Sequence, residues 1–270
     1  LAALSTAAHK LAGGDFEARV SISAGDEFGH LQRIFNSVGH RLREHYRMRR
    51  SLEVAEEIQH KLLPAVSPEI SGLDIYGMTL FSDETGGDYF DFFDTAGTDA
   101  KKYGVVIGDV SEHGIPSALL MASARAFLRQ RTALSGSIAE IVGDVNRQLT
   151  RDVEDTGRFI TLFYLQIDMD NRSLSWVRAG HEPATLYDPA TDRFEALAGN
   201  GIALGIDENW QYIEENRADL AAGGLVPGPA HQRDDLGRLG GLFGTTAGQR
   251  GLGAAHGVPA IHPDHPEVGI

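Results

Sequence analysis

Two aspartates stand out by what surrounds them. Asp88 follows Gly86 and Gly87 in "TGGDYFD", and Asp109 closes the apolar run "VVIGDV" just before a turn that ends at Gly114. A carboxylate at the end of a buried apolar run is costly unless a positive charge answers it. No Lys or Arg is adjacent; Lys101 and Lys102 lie at the far end of that run. Two such acids, each beside small residues that let ions and solvent approach, suit hard divalent cations with oxygen ligands. Either aspartate alone reads as a turn or cap residue. The pair, in this order and spacing, points to a metal site. Asp91 follows in the same stretch, and His113 and His181 add imidazoles. No second histidine stands at ligand spacing from either, so both read as neighbours of the site rather than ligands.

The elements that must hold these residues begin at Leu73, where the periodicity becomes two. "LDIYGMTLF", "DYFDFF", "KYGVVIGDV", "RFITLFYLQID", "SLSWVRAG" and "ATLYD" read as strands. "IPSALLMASARAFLRQR" and "IAEIVGDVNRQL" read as helices, the first with Pro116 near its start, where a missing N–H costs little. This pattern predicts an α+β fold: a β-sandwich of two antiparallel sheets flanked by helices.

The region before this has helical periodicity. Leu1, Leu4, Ala8 and Leu11 form a seam, "AGGDFEARV" breaks it at Gly13 and Gly14, and Phe16, Val20 and Ile22 can strap the connector across a bundle. Asp26 and Glu27 then suit a helix N-terminus. Phe28, Leu31, Phe35, Val38 and Leu42 make an a/d ladder that resumes after His45 as Met48, Leu52, Ala55, Ile58 and Leu62. That is a slip of register, and Pro64 ends the run.

The 270 residues carry a formal charge of −14, from 38 acidic against 24 basic residues. Such a balance argues against nucleic acid and anionic membrane surfaces as direct partners. There is no cysteine, hence neither a disulfide framework nor a thiolate metal site. No apolar run has the length that crosses a bilayer.

The helix, glycine-broken connector and "DEFGHL" helix resemble a HAMP domain, a parallel four-helix module that relays transmembrane signals. "DETGGDYFDFF", "VVIGDVSEHGIPSALLMASARA", "GRFITLFYLQID" and "WVRAGHEPATLYDP" resemble the PPM-type serine/threonine phosphatases of the SpoIIE/RsbU-like branch. The resemblance implies a pair of Mn2+ or Mg2+ ions with Asp88 and Asp109 as ligands and the carbonyl of Val110 completing one site. It places Gly86, Gly87, Asp91, His113, Gly114 and His181 close by. It implies a phosphoserine or phosphothreonine substrate on a STAS-type anti-sigma-factor antagonist, and a homodimer through the HAMP and coiled coil. The chain then reads as the cytoplasmic portion of an inner-membrane-anchored bacterial protein. The expected organisation is a HAMP-like module over 1–47, a coiled-coil linker over 48–72, an incomplete phosphatase domain over 73–221 and an aberrant, disordered tail over 222–270.

The tail departs from the family. A third acid in a "TDG" strand end and a fourth in a "DD-x-T" block are expected after Leu220, and neither occurs. A Gly- and Pro-rich stretch without periodicity follows instead, as an out-of-frame translation would give. Asp234 and Asp235 have no strand character around them. A weakened or dead phosphatase is therefore expected.

Two rival readings remain. A non-catalytic dimeric relay would keep only the partner-binding surface. "GGDYF" also resembles the "GGDEF" signature of diguanylate cyclases, but the only "D-x-D" piece, "QIDMDN", comes after it rather than before.

Overall fold

The computed structural model describes residues 2–21, 27–77, 79, 86–94, 102–218, 220 and 243–244. The chain forms two compact units, 1–60 and 61–270.

In the first unit, helix α1 (Ala2–Ala12) stops where Gly13 and Gly14 follow, Gly14 taking a left-handed φ of 91°. The connector after it is held by side chains. Val20 and Ala18 are buried, and the Asn36 amide clasps Val20 at both its N–H and its carbonyl, at 3.0 and 3.1 Å. Phe16 packs on Tyr46 with ring centroids 5.4 Å apart, and Glu17 pairs with Arg43. Ile22 and Asp26 lie outside the described residues.

Helix α2 (Glu27–Leu62) runs without interruption through His45–Met48, so the change of register does not break the helix. It ends two residues before Pro64, where the residue preceding proline disfavours helical dihedrals. Its apolar ladder is open: Phe28, Leu31, Val38 and Leu42 are each 41–47% exposed. Among the described residues no helix is long and apolar enough to cross a membrane.

The second unit is built on a five-stranded antiparallel sheet in the order β2-β3-β4-β5-β8. The strands are β2 (Tyr89–Asp94), β3 (Lys102–Val110), β4 (Ile160–Asp168), β5 (Ser173–Ala179) and β8 (Glu215–Arg217). Helices α3 (Ile115–Thr132) and α4 (Ile138–Val153) cover one face. Met121, Leu128, Val142, Leu149, Val106 and Leu162 form the core between them. α4 starts cleanly because Ser137 and Glu140 cap each other's backbone N–H groups, at 3.2 and 2.8 Å.

The other face carries a second core, in which Val105, Phe163, Leu165 and Trp176 meet Leu73, Ile75, Ala184, Leu186 and Leu197. Ile75 and Leu186 belong to two small antiparallel pairs, and Leu73, Ala184 and Leu197 directly adjoin their strands. One pair joins β6 (Thr185–Asp188) to β7 (Arg193–Ala196), and the other joins β1 (Asp74–Ile75) to β9 (Phe243–Gly244). The architecture is the α+β arrangement of antiparallel sheets with helices outside.

Three details differ from the sequence reading. Among the described residues of "LDIYGMTLF" only Asp74–Ile75 is strand, and 78, 80 and 81 fall outside the described residues. β7 and β8 were not anticipated, since β7 is exposed along its length and β8 has three polar residues. Of the tail, 222–242 and 245–270 lie outside the described residues, Asp234 and Asp235 among them, while Phe243–Gly244 pairs with β1.

Candidate active site

The β2–β3 ladder sets Tyr89 opposite Gly108. Continuing that register by one residue sets Asp88 opposite Asp109. The Val110 N–H donates to the Gly87 carbonyl at 3.3 Å, which carries the pairing through the next step. Residues directly opposite in an antiparallel pair project to the same face, with Cβ atoms roughly 4.5–5.5 Å apart. Alternation puts Asp109 on the face of Val105 and Ile107, and Asp88 on that of Phe92, the face of the second core. Both aspartates are half-buried.

The glycine before them is a steric requirement. A Cβ on Gly87 would lie 2.7 Å from the Val110 carbonyl oxygen and 2.9 Å from its Cβ. The Val110 oxygen therefore sits beside a residue that has no side chain to cover it.

The turn that follows β3 is fixed from several sides. The Ser111 N–H donates to the Phe159 carbonyl at 2.9 Å, and Ser111 Oγ accepts from the Phe159 N–H at 3.1 Å. Ser117 Oγ donates to the Ser111 carbonyl at 3.1 Å. Glu112 has a φ of 67° and accepts from Arg158 at 2.8 Å, and Gly114 has a φ of 83° at the start of α3. His113 is exposed in this turn.

Two carboxylates from adjacent strands, with a main-chain oxygen beside a bare glycine, fit a hard divalent cation. Among the described residues they are not joined into a group of three or more His, Cys, Asp or Glu side chains.

Residues 1–44 match the HAMP domain family model, and residues 99–226 match the model of Stage II sporulation protein E (SpoIIE). The chain joins a HAMP domain to a PPM-type phosphatase domain. It is 29% identical over 161 residues to the phosphoserine phosphatase RsbU of Bacillus subtilis, covering 60% of this chain and 47% of that protein. It is 30% identical over 190 residues to the phosphoserine phosphatase RsbP of the same organism, covering 66% and 45%. The chain thus spans about half the length of the curated relatives it matches.

Among solved structures it resembles the SiaA PP2C domain of Pseudomonas aeruginosa (TM-score 0.51, 23% identity, 68% of this chain and 72% of that one). It also resembles the RsbU and RsbW domains of a Mycobacterium tuberculosis protein (TM-score 0.50, 22% identity, 59% and 43%). These likenesses fix the fold of the phosphatase domain.

Within the phosphatase domain, Asp91 does not join Asp88. It is fully buried on the opposite face of β2, towards α3, because strand side chains alternate. Arg129 grips it through Nε at 2.7 Å and a terminal nitrogen at 2.5 Å, Arg125 lies at 3.8 Å, and Tyr89 donates its hydroxyl at 3.1 Å. Asp91 is thus not a neighbour of Asp88 and Asp109, contrary to the expectation from sequence: it fastens α3 to the sheet. Burial and the Asp91 carboxylate push the Tyr89 phenol up, and the same carboxylate's hydrogen bond raises Arg129. Tyr89 therefore stays a neutral donor and Arg129 a cation.

His181 is buried in the loop after β5. Gly180, with a φ of 69°, lets the chain turn there and donates its N–H to the Gly201 carbonyl at 2.9 Å. Arg178 holds the loop through Nε on the His181 carbonyl and through a second bond to the Gly199 carbonyl at 3.1 Å. The His181 Nδ1 lies 2.7 Å from the hydroxyl of Thr161, the residue paired with Asp109 across β3–β4. Thr161 was not singled out in the sequence; its signal was a small hydroxyl in the otherwise apolar start of "FITLFYLQID". The rival "QIDMDN" motif is the end of β4 and the turn after it: Asp168 accepts from the N–H groups of Asp170 and Asn171 at 3.1 and 2.9 Å.

Proposed function

We propose that this chain is a metal-dependent serine/threonine phosphatase of a bacterial signalling pathway, acting on a phosphorylated STAS-type anti-sigma-factor antagonist. What carries the reading is the β2–β3 register, which continued from Tyr89–Gly108 to the Val110–Gly87 hydrogen bond sets Asp88 opposite Asp109, together with the family matches. Asp88, Asp109 and the Val110 carbonyl would hold Mn2+ or Mg2+. When bound, such ions supply Lewis acidity towards phosphoryl oxygens and lower the pKa of coordinated water. The side chains' task is to hold their oxygens in a fixed array. The absence of a side chain at Gly87 lets the main chain before Asp88 close onto Val110, which brings the Val110 carbonyl next to the two aspartates.

The open ladder of α2 supports a homodimer through the HAMP domain, since four like faces can bury one another only in a bundle. The HAMP match supports anchorage in an inner membrane through a segment outside this sequence. Loss of the later ligand motifs supports a cation site weaker than that of an intact relative.

The test is Mn2+-dependent phosphate release from a phosphoserine STAS protein by the full chain and by Asp88→Asn and Asp109→Asn variants. Turnover that needs Mn2+ and disappears in both variants is expected, at a rate well below that of RsbU. Turnover that survives either substitution overturns the reading. One observation favours a second reading, a non-catalytic relay: among the described residues the two carboxylates are not accompanied by a third. Capture of the phosphoprotein without release of phosphate would select it.

A further inference from the structure

We propose that Thr161 is a positioning residue for the Asp109 side of the cation site, tying it to the buried ring of His181; this rests on the functional reading above. The Thr161 hydroxyl donates to the Asp109 main-chain carbonyl at 3.3 Å and lies 2.7 Å from His181 Nδ1. A hydroxyl has one proton. With that proton on the Asp109 carbonyl, the contact to His181 requires the imidazole to donate from Nδ1. A directed chain results: His181 Nδ1–H to Thr161 Oγ1, and Thr161 O–H to the Asp109 carbonyl.

Both ends of this chain are braced. His181 is 2% exposed, and its own carbonyl is held by Arg178. Asp109 and Thr161 are cross-strand partners, so the hydroxyl meets the strand directly beneath the carboxylate's backbone. Thr161 alternates onto the same face as Phe163 and Leu165, the face of the aspartates. The strand end that presents Asp109 is thus fixed from β4 by a side chain as well as by the ladder. Partners that orient a ligand commonly govern metal affinity by about 10- to 100-fold.

The experiment compares the full-length chain with Thr161→Val, which removes the hydroxyl while keeping the shape, and Thr161→Ser, which keeps the hydroxyl. Mn2+ affinity is measured by calorimetry, thermal stability by unfolding, and the His181 tautomer by 15N NMR. Thr161→Val should weaken Mn2+ binding by about tenfold or more, and should shift the His181 Nδ1 resonance. Thr161→Ser should restore both to near the parent. Mn2+ binding by folded Thr161→Val equal to that of the parent overturns the proposal. If the parent itself binds no Mn2+, the functional reading fails, and the positioning claim is then judged separately. In that case an unchanged His181 resonance and unchanged amide exchange at 108–111 in Thr161→Val overturn it, whereas a lost Nδ1–H and faster exchange uphold it.

Discussion

Gly87 and Val110 meet main chain to main chain at the end of the β2–β3 ladder, with the Val110 N–H on the Gly87 carbonyl at 3.3 Å. The closeness of that pair sets the first prediction. In Gly87→Ala the new Cβ would press on backbone and on the Val110 Cβ, neither of which can swing aside. A loss of about 1–3 kcal/mol follows from overpacking of this kind. Urea unfolding would give the stability change, and Mn2+ calorimetry should show weaker binding, because the same shift separates Asp88 from Asp109.

Asp91 carries the second prediction. Asp91→Asn leaves Arg129 and Arg125 facing a neutral amide. Breaking a buried pair costs roughly 3–5 kcal/mol, and the partial exposure of Arg129 places this case at about 2–4 kcal/mol. The urea midpoint should fall with the slope unchanged. Because Asp91 stands on the other face of β2, Mn2+ affinity of the folded variant should equal that of the parent.

Asp168 predicts an acid dependence. Burial pushes its carboxyl up, but hydrogen bonds from Asn171 and Asp170 and the charge of Lys102 outweigh this and hold it below the ordinary value. A lower folded than unfolded pKa stabilises the fold above the unfolded value of about 3.9. That contribution is lost as pH falls through the folded value. Asp168→Asn should therefore lower stability at neutral pH and show a shallower decline in acid, measured as urea midpoints from neutrality down to about pH 3.

Cation binding should be visible as stability. A ligand at a hundred times its dissociation constant adds about 2.7 kcal/mol, which raises the Tm of a domain this size by roughly 5–10 °C. Thermal scans with and without Mn2+ should show that rise for the parent, its reversal by EDTA, and no rise for Asp109→Asn.

In the HAMP domain, Asn36→Ala removes both bonds to Val20. Each such bond contributes about 0.5–1.5 kcal/mol, so amide exchange across 15–21 should accelerate about tenfold while the centre of α2 is unaffected.

Much of this was legible because period-two and helical patterns are strong where one face is buried. β3 to β5 fall within the predicted stretches, β2 and α3 run one residue past theirs, and α4 runs on from Leu149 to Val153. The pairing of Asp88 with Asp109 was foreshadowed by glycines and by a carboxylate closing an apolar run. The role of Asp91 was not legible. Its partners Arg125 and Arg129 lie more than thirty residues away, and only the pleat decides which face an acid takes. β7 and β8 escaped because exposed or polar strands leave no alternating signal. Thr161 escaped because its importance comes from β3 and from the loop after β5, not from its neighbours in sequence.

β2 is a partition one residue thick, with a fastening on one side and an acid of the proposed cation site on the other, three positions apart. Such a strand can absorb a change of residue type, but not of length. One amino acid inserted or deleted between Asp88 and Asp91 would put both acids on the same side of the sheet, either stranding Asp88 under α3 or pulling Asp91 off its arginines. Indels in this short span should therefore abolish function outright, whereas point changes there should grade it.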